Sequence, residues 1–325
     1  MSERLKALVL APMRGDGLAA LEQHADVVLD PWIEHEPIRL YRPDDLAARI
    51  VEEGANILIV EADAVRGPVL ELPLRAIGVT RSDPTNVDLD AATAHGIPVL
   101  RAPGRNRDAV AELAVGLLFA VARRILPADA DVRNDRVYAD GSVPYQRFRG
   151  WELHGRTLGI VGLGAVGRAA KWRFEGLGLD VIAHDPYADD ATHDLSELLA
   201  ESDVVSMHAP VTPATTGMIG TDQFAAMRDG AIYLNTARAA LHDLDALVAA
   251  LESGHLGGAG LDHFEGERLA PDHPLIAMSN VVLTPHIGGA TYDTEANQAS
   301  LIANGLITLL AGGKPDNLAN PEVLS

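Results

Sequence analysis

The chain has 325 residues, more than one hydrophobic core usually serves, so we expect two domains. Its 46 acidic and 26 basic residues give a net charge of −20, which argues against nucleic acid or an anionic membrane as a partner. The absence of cysteine excludes disulfides, thiolate metal sites and cysteine nucleophiles, and no metal site is predicted. Apolar runs are too short for a membrane span, and Pro12 ends the first of them, so we expect a cytoplasmic protein without an export signal.

The first hundred residues alternate between short apolar runs and amphipathic segments. The runs that predict strands are 7–10, 26–29, 57–60, 76–79 and 97–100. Continuous apolar strands separated by helices indicate a parallel sheet covered on both faces. Beyond them, 108–124 is rich in Ala, Leu and Val and predicts a long helix. The polar segment 131–151 has no clear period, and we interpret it as a surface excursion or a subunit contact.

A second series of strands begins near residue 157. It comprises six apolar runs, the number in a full dinucleotide-binding sheet: 158–161, 181–184, 204–208, 232–235, 258–263 and 281–284. A long helix predicted at 293–310 then has no sheet of its own to complete. We predict that it returns to the first domain, which would comprise 1–101 and 291–325, with 102–290 as the second domain.

The first strand of the second series ends in a glycine motif. Gly162 suits the tight turn from strand to helix, Gly164 lets backbone approach a pyrophosphate, and Gly167 lets the helix pack close to the sheet. The motif alone is weak in a chain with 30 glycines. Asp185 strengthens it, because this residue ends the next strand, where a ribose-binding carboxylate belongs.

The residues after Asp185 bear on the choice of cofactor. They include Tyr187, Asp189 and Asp190, with no arginine or lysine to receive a 2′-phosphate. Carboxylates at that position repel phosphate, so the sequence favours NAD over NADP.

Three polar residues follow three later strands of the series. Arg238 comes after 232–235, Glu267 after 258–263 and His286 after 281–284. Because the carboxyl ends of parallel strands share one edge, all three side chains are expected on one rim. Taken singly, Arg238 and Glu267 could be surface charges and His286 a structural polar group, and Glu265 rivals Glu267.

Together these groups suit the oxidation of a 2-hydroxy acid. A guanidinium can hold a carboxylate and polarise the neighbouring carbonyl. An imidazole can take the hydroxyl proton as hydride leaves the same carbon, and an adjacent carboxylate favours the charged imidazole.

These motifs, with four further stretches, make the chain resemble the D-isomer-specific 2-hydroxyacid dehydrogenases, of the phosphoglycerate dehydrogenase-like kind, over nearly its whole length. The stretches are 204–215, 234–238, 258–264 and 284–289. The resemblance implies an α/β fold of two doubly wound parallel sheets, in which a Rossmann NAD-binding domain is inserted into a discontinuous, flavodoxin-like substrate domain. It also implies a homodimer formed through the NAD-binding domain.

By that resemblance Arg238, Glu267 and His286 are the catalytic residues, with Glu267 preferred over Glu265. Asp262 is expected to bind the nicotinamide carboxamide. The full set of expected cofactor-binding residues is Gly162, Gly164, Ala165, Val166, Gly167, Asp185, His208, Ala209, Pro210, Thr236, Asp262 and Gly288.

The chain departs from the family in its substrate loop. The family's R-x-G-x-G-x-D-N stretch is replaced at 79–88, where Arg81 and Asp83 stand for both glycines and Pro84 has no N–H to donate. Arg81, Ser82, Asp83 and Arg238 are nevertheless the expected substrate contacts, together with Asn106. A rigid turn leading into the helix that starts near residue 88 is the alternative interpretation of this loop.

Two arginines flank Asn106, and His263 follows Asp262. Arg105 and Arg107 suggest further anionic or polyhydroxylated substrate groups, or else surface charge. We interpret His263 as a buried, hydrogen-bonded histidine.

The sequence therefore predicts an NAD-dependent D-2-hydroxyacid dehydrogenase with His286 as general acid and base. Alternatives are an NAD-sensing protein like the C-terminal-binding corepressors and an enzyme resembling phosphite dehydrogenase. Phosphoglycerate, glycerate or hydroxypyruvate, glyoxylate and longer sugar acids all remain open as substrates, because the loop that would distinguish them is the one that departs.

Overall fold

The structure, a computed structural model, describes residues 5–324, the side chain of residue 140 excepted. The chain forms two compact units, one made of Met1–Asn106 with Thr291–Ser325 and the other of Arg107–Ala290. Among the described residues, no helix is both long and apolar enough to cross a lipid bilayer.

Four of the five strands of the first unit are buried along almost their full length, and the edge strand Asp26–Leu29 is partly exposed. The elements of this unit up to residue 101 are β1 (Lys6–Val9), α1 (Gly15–Glu22), β2 (Asp26–Leu29), α2 (Pro43–Glu53), β3 (Ile57–Val60), β4 (Ala76–Val79), α3 (Leu89–Ala94) and β5 (Val99–Arg101). All neighbouring strands are parallel in the order β2-β1-β3-β4-β5, which is the flavodoxin-like order. Apolar clusters cover both faces of this sheet.

The second unit carries a six-stranded parallel sheet in the order β11-β10-β9-β8-β6-β7. Its elements are α4 (Arg107–Ala122), α5 (Ile125–Arg133), α6 (Pro144–Arg147), β6 (Thr157–Val161), α7 (Ala165–Gly176), β7 (Asp180–His184), α8 (Leu195–Glu201), β8 (Val204–Met207), α9 (Thr221–Ala226), β9 (Ala231–Asn235), α10 (Leu244–Glu252), β10 (Leu256–Leu261), α11 (Pro274–Ala277) and β11 (Val281–Leu283). The strand order reverses between β6 and β8, and ligands of such sheets bind at that point, outside the carboxyl ends of the strands.

The C-terminal helix α12 (Tyr292–Leu310) belongs to the first sheet. It packs against α1 and contacts β4 and β5, so its buried face completes one of the two apolar clusters of that unit. The predicted fold class of two doubly wound parallel sheets is confirmed.

The segment 131–151 is more ordered than its polar composition suggests. It contains the end of α5 and all of α6. The buried Asp131 carboxylate forms ion pairs with Arg136 at 2.9 Å and Arg147 at 2.8 Å. Two ion pairs to the buried Asp131 hold this segment, which explains why no apolar period is visible there.

Candidate active site

The glycine loop between β6 and α7 forms a backbone cradle. Gly162 has φ +100°, which favours glycine, and a Cβ on Gly167 would lie 1.9 Å from the carbonyl oxygen of Gly162. Gly164 is the N-cap of α7, and a Cβ there would meet nothing within 4 Å. Since α7 begins at Ala165, the amides of its first turn face open space, which suits a diphosphate.

Asp185 fixes this loop from the end of β7. Its carboxylate accepts hydrogen bonds from Leu163 N at 2.7 Å and Tyr187 N at 2.9 Å. A carboxylate can accept about four hydrogen bonds, so two positions remain for ribose hydroxyls. The residue thus lies where the sequence expects a ribose ligand.

Two buried polar atoms beside the strand-order reversal have no hydrogen-bond partner within the described chain. They are Nδ1 of His208, just beyond β8, and Oγ1 of Thr236, just beyond β9. Burial lowers the pKa of His208 to about 4, so the ring is neutral, and its Nε2 lies 2.9 Å from Ser206 Oγ. Buried polar atoms are normally paired, and a bound dinucleotide would supply partners here. The cradle and these atoms together fit NAD.

One cation near Asp185 was missed by the sequence reasoning. Arg168, in the first turns of α7, forms a two-pronged ion pair with Asp190, with contacts of 2.5 and 2.8 Å. The Asp190 carboxylate raises the pKa of Arg168, and Asp185 adds to the effect. The sequence signal for a 2′-phosphate ligand lies after Asp185, whereas this arginine comes from the helix before it.

The His286 imidazole is paired with Glu267. His286 Nδ1 lies 3.0 Å from Glu267 Oε1, and both side chains are substantially exposed. With Nδ1 donating to the carboxylate, Nε2 is left for a substrate. Both residues have positive φ, 55° for His286 and 61° for Glu267. Such conformations are costly for residues other than glycine and cluster at functional sites.

The fully buried Asp262 holds the loop that carries His286. Its carboxylate accepts from Thr284 Oγ1 at 2.6 Å, Ile287 N at 2.9 Å and Gly288 N at 2.8 Å, while its carbonyl oxygen accepts from His286 N. Three of about four acceptor positions are thus used within the protein, and one remains for the carboxamide that the resemblance implies.

His263 lies between Arg238 and His286 and contacts both of them. Arg238 Nη1 is 3.3 Å from His263 Nε2, and the rings of His263 and His286 have centroids 3.7 Å apart. The backbone around Arg238 is fixed by the buried Asn235, whose Nδ2 donates to Arg238 O at 2.8 Å. Since β9, β10 and β11 are neighbours, the predicted rim brings Arg238, Glu267 and His286 together.

A cation site is conceivable at the same rim, because one ligand atom each of His263, Glu267 and His286 lies within 4.8 Å of the others. The geometry opposes it. His263 Nε2 faces the Arg238 guanidinium and Glu267 faces His286, so a metal would displace both contacts and meet a positive charge.

The expected substrate residues of the first unit lie in two loops that are joined by hydrogen bonds of Ser82. Ser82 Oγ donates to Ala102 O at 3.4 Å and accepts from Gly104 N at 3.3 Å. Arg81 and Asp83 flank it just beyond β4, and Asn106 directly precedes α4. The altered loop is therefore tied to the chain after β5 rather than extended into solvent.

The arginines beside Asn106 are both paired. Arg105 contacts Glu61 at 2.5 Å and also Gln298, while Arg107 lies 3.3 Å from Asp108. Glu61 directly follows β3 and also accepts from Trp32 Nε1 at 3.1 Å. This partly buried group was not found from the sequence, because its members are far apart along the chain.

The comparisons with known proteins identify a family. Residues 115–288, more than half of the chain, match the family model for the NAD binding domain of D-isomer specific 2-hydroxyacid dehydrogenases. The chain belongs to this family. As a D-isomer specific 2-hydroxyacid dehydrogenase it is an NAD-dependent oxidoreductase, as the sequence predicts.

Several relatives resemble this dehydrogenase over most of its length. A glyoxylate reductase of Thermococcus litoralis is 42% identical over 250 residues, which are 74% of this chain and 75% of the relative. A glyoxylate reductase of Korarchaeum cryptofilum is 35% identical over 95% of this chain and 93% of the relative. A Polaromonas crystal structure, described as a D-isomer specific 2-hydroxyacid dehydrogenase, superposes with a TM-score of 0.84 at 33% identity, covering 97% of this chain and 99% of the other.

Proposed function

We propose that this dehydrogenase interconverts a D-2-hydroxy acid and its 2-oxo acid, with Arg238, Glu267 and His286 as the catalytic residues. The observation that carries the proposal is the contact of 3.0 Å between His286 Nδ1 and Glu267 Oε1, on the same rim as the Arg238 guanidinium. The glycine cradle of the same sheet supports a cofactor at that rim.

Each residue has one task in this proposal. Arg238 binds the substrate carboxylate with its guanidinium fork. His286 gives a proton to the carbonyl oxygen of the 2-oxo acid from Nε2 and takes it back in the reverse direction. Glu267 orients the imidazole through Nδ1 and stabilises its charged form. The bound nicotinamide supplies or accepts the hydride at C2.

We propose that NAD is preferred to NADP. Asp185 holds its place at the end of β7, and a 2′-phosphate there would meet this carboxylate. Arg168 interacts electrostatically with Asp185 and could oppose the repulsion, but Asp190 already engages it on both guanidinium nitrogens.

We propose a small, unphosphorylated 2-oxo acid as substrate. The two relatives described above, from Thermococcus litoralis and Korarchaeum cryptofilum, are named glyoxylate reductase. In the first unit, the strand order reverses between β1 and β3, where Glu61 places a carboxylate and Arg105 is committed to it. A phosphate bound at this point of the first sheet would be repelled by Glu61 and would find Arg105 already paired.

We also propose a homodimer formed through the second unit. Several large apolar side chains between residues 125 and 151 are exposed there, among them Ile125, Tyr138, Tyr145 and Trp151. Exposed apolar surface of this kind marks protein interfaces. Sedimentation equilibrium should give twice the chain mass of 34.4 kDa, and a monomer at all concentrations would contradict the proposal.

The activity is tested with the purified chain, NADH and a panel of 2-oxo acids. The panel contains glyoxylate, pyruvate, hydroxypyruvate, phosphohydroxypyruvate and longer sugar 2-oxo acids, and turnover is followed by NADH absorbance. We expect turnover of the small 2-oxo acids and slower turnover of phosphohydroxypyruvate. Chiral analysis of the glycerate formed from hydroxypyruvate should give the D-isomer. An L-product, or no turnover of any member, would overturn the proposal.

A further inference from the structure

His263 joins two of the proposed catalytic residues, although no reaction step uses it. It follows Asp262 at the end of β10, and only 5% of its surface is exposed. Its Nε2 lies 3.3 Å from Arg238 Nη1, and its ring packs on the His286 ring with centroids 3.7 Å apart and planes inclined by 52°. One side chain thus contacts both the proposed carboxylate anchor and the proposed proton donor.

We propose that His263 is a positioning residue that fixes Arg238 through a hydrogen bond and His286 through ring packing. This inference rests on the proposed function. A guanidinium only donates hydrogen bonds, so His263 must offer the lone pair of Nε2, and its single proton is then on Nδ1. Held this way, the Arg238 fork keeps one orientation before substrate arrives.

The surroundings keep His263 in the neutral state that accepting requires. Burial, the neighbouring His286 and Arg238 lower its pKa to about 4, against a smaller opposing influence of Glu267. A protonated His263 would place a third positive charge among these groups and would lose its acceptor. The ring is therefore a permanent acceptor across the neutral range.

The two contacts can be separated by substitution. His263→Phe keeps a flat ring against His286 but removes the acceptor, whereas His263→Gln keeps an acceptor in place of Nε2 but removes the ring. His263→Phe should raise KM for the best 2-oxo acid about 10- to 100-fold with kcat changed less than about 3-fold, since a hydrogen bond to a charged group is lost. His263→Gln should keep KM within about 3-fold of the native value. Its kcat should fall by a larger factor than KM changes.

A rise in KM for His263→Phe and a fall in kcat for His263→Gln distinguish positioning from a merely structural role. If the role were only structural, both substitutions would change KM and kcat in the same way. The remote His255, whose Nε2 lies 3.0 Å from Phe224 O, supplies the matched control His255→Gln, expected to match the native chain. In an Arg238→Met background, His263→Phe should have no further effect on KM, because the donor to His263 Nε2 is gone. Additive effects in this cycle, or an unchanged KM in His263→Phe, would overturn the proposal.

Two measurements need no turnover. Titration of the NADH-bound chain with oxamate should give a larger dissociation constant for His263→Phe than for His263→Gln. Ring nitrogen chemical shifts in histidine-labelled chain should show His263 neutral from pH 8 to pH 5, and Arg238→Met should change them. If the native chain reduces no 2-oxo acid, the proposed function fails, while the ring shifts still decide the His263 contact. Shifts unaffected by Arg238→Met would refute that contact.

Discussion

At the scale of single residues, chemistry is concentrated in side chains that other side chains orient. His286 and Glu267 both have positive φ, a cost that the surrounding contacts must offset. The fully buried Asp262 supplies part of that compensation by accepting three hydrogen bonds from 284–288. The site is therefore held before a ligand binds, rather than assembled by it.

The two glutamates of the loop after β10 offer a matched test of this pairing. Glu267→Gln should lower kcat about 10- to 100-fold, because a charge-assisted hydrogen bond to the imidazole is lost. Glu265→Gln, two residues away, should change kcat less than about 2-fold. Steady-state kinetics at saturating NADH measure both, and equal effects of the two substitutions would refute the assignment of Glu267.

The ion pair of Arg168 and Asp190 predicts a change in cofactor preference. Asp190→Ala removes a carboxylate and releases Arg168, so the dissociation constant of NADPH should fall about 2- to 5-fold while that of NADH changes little. Asp189→Ala is the control, since it removes a charge without releasing the arginine. Fluorescence titration with both cofactors measures this. A similar shift from Asp189→Ala would show that net charge alone is responsible.

At the scale of elements, the turn from β6 to α7 depends on close backbone approach. Gly167 lets the first turn of α7 pass the carbonyl of Gly162, and Gly164 leaves space at the helix N-terminus. The same geometry brings the Asp185 carboxylate to Leu163 N, so the loop and this carboxylate form one assembly.

Two glycines of α7 give opposite predictions. Gly167→Ala places a Cβ 1.9 Å from the Gly162 oxygen and should destabilise the second unit by about 1–3 kcal/mol while weakening NADH binding more than 10-fold. Gly176→Ala meets nothing within 4 Å and should be neutral or stabilising by up to about 1 kcal/mol. Urea unfolding and NADH titration measure both. Comparable NADH affinity in the two variants would contradict this account of the cradle.

Elements with a strong apolar signal could be predicted from the sequence, and those held by buried charge could not. The predicted strands differ from the observed ones by at most two residues at either end, because each is a continuous apolar run. α5 and α6 were missed because ion pairs to the buried Asp131, rather than an apolar face, hold the segment 131–151. Arg238, Glu267 and His286 could be placed on one rim by strand order alone. The contact of Arg238 with His263 depends on side-chain direction, which strand order does not fix.

At the scale of the whole molecule, two doubly wound units are built from one chain, and the long C-terminal helix belongs to the first. The second unit contains the glycine cradle, the histidine–glutamate pair and three buried histidines. Burial is the main cause that lowers the pKa of His208, His242 and His263 to about 4. Folding thus keeps these three rings neutral.

Stability of the second unit should therefore fall in mild acid. The unfolded chain binds protons at these histidines below about pH 6.5, whereas the folded chain resists until about pH 4, so stability is full above pH 6.5 and decreases as the pH falls from there. Each histidine contributes up to about 1.4 kcal/mol per pH unit. Urea unfolding at pH 7, 6 and 5 measures the loss of stability. The free energy of unfolding of His242→Gln should depend less steeply on pH, by the equivalent of one bound proton. A constant free energy of unfolding across this range would contradict the prediction.

The central claim is that His286 is the proton donor and acceptor of an NAD-dependent 2-hydroxyacid dehydrogenase. The most direct measurement compares the native chain with His286→Ala for NADH-dependent reduction of the best 2-oxo acid at neutral pH. NADH affinity and the unfolding midpoint are measured in parallel to show that the variant is folded. We predict a fall in kcat of about 100- to 10,000-fold with NADH affinity unchanged. A folded His286→Ala variant that keeps kcat within about 3-fold of the native chain would contradict the account.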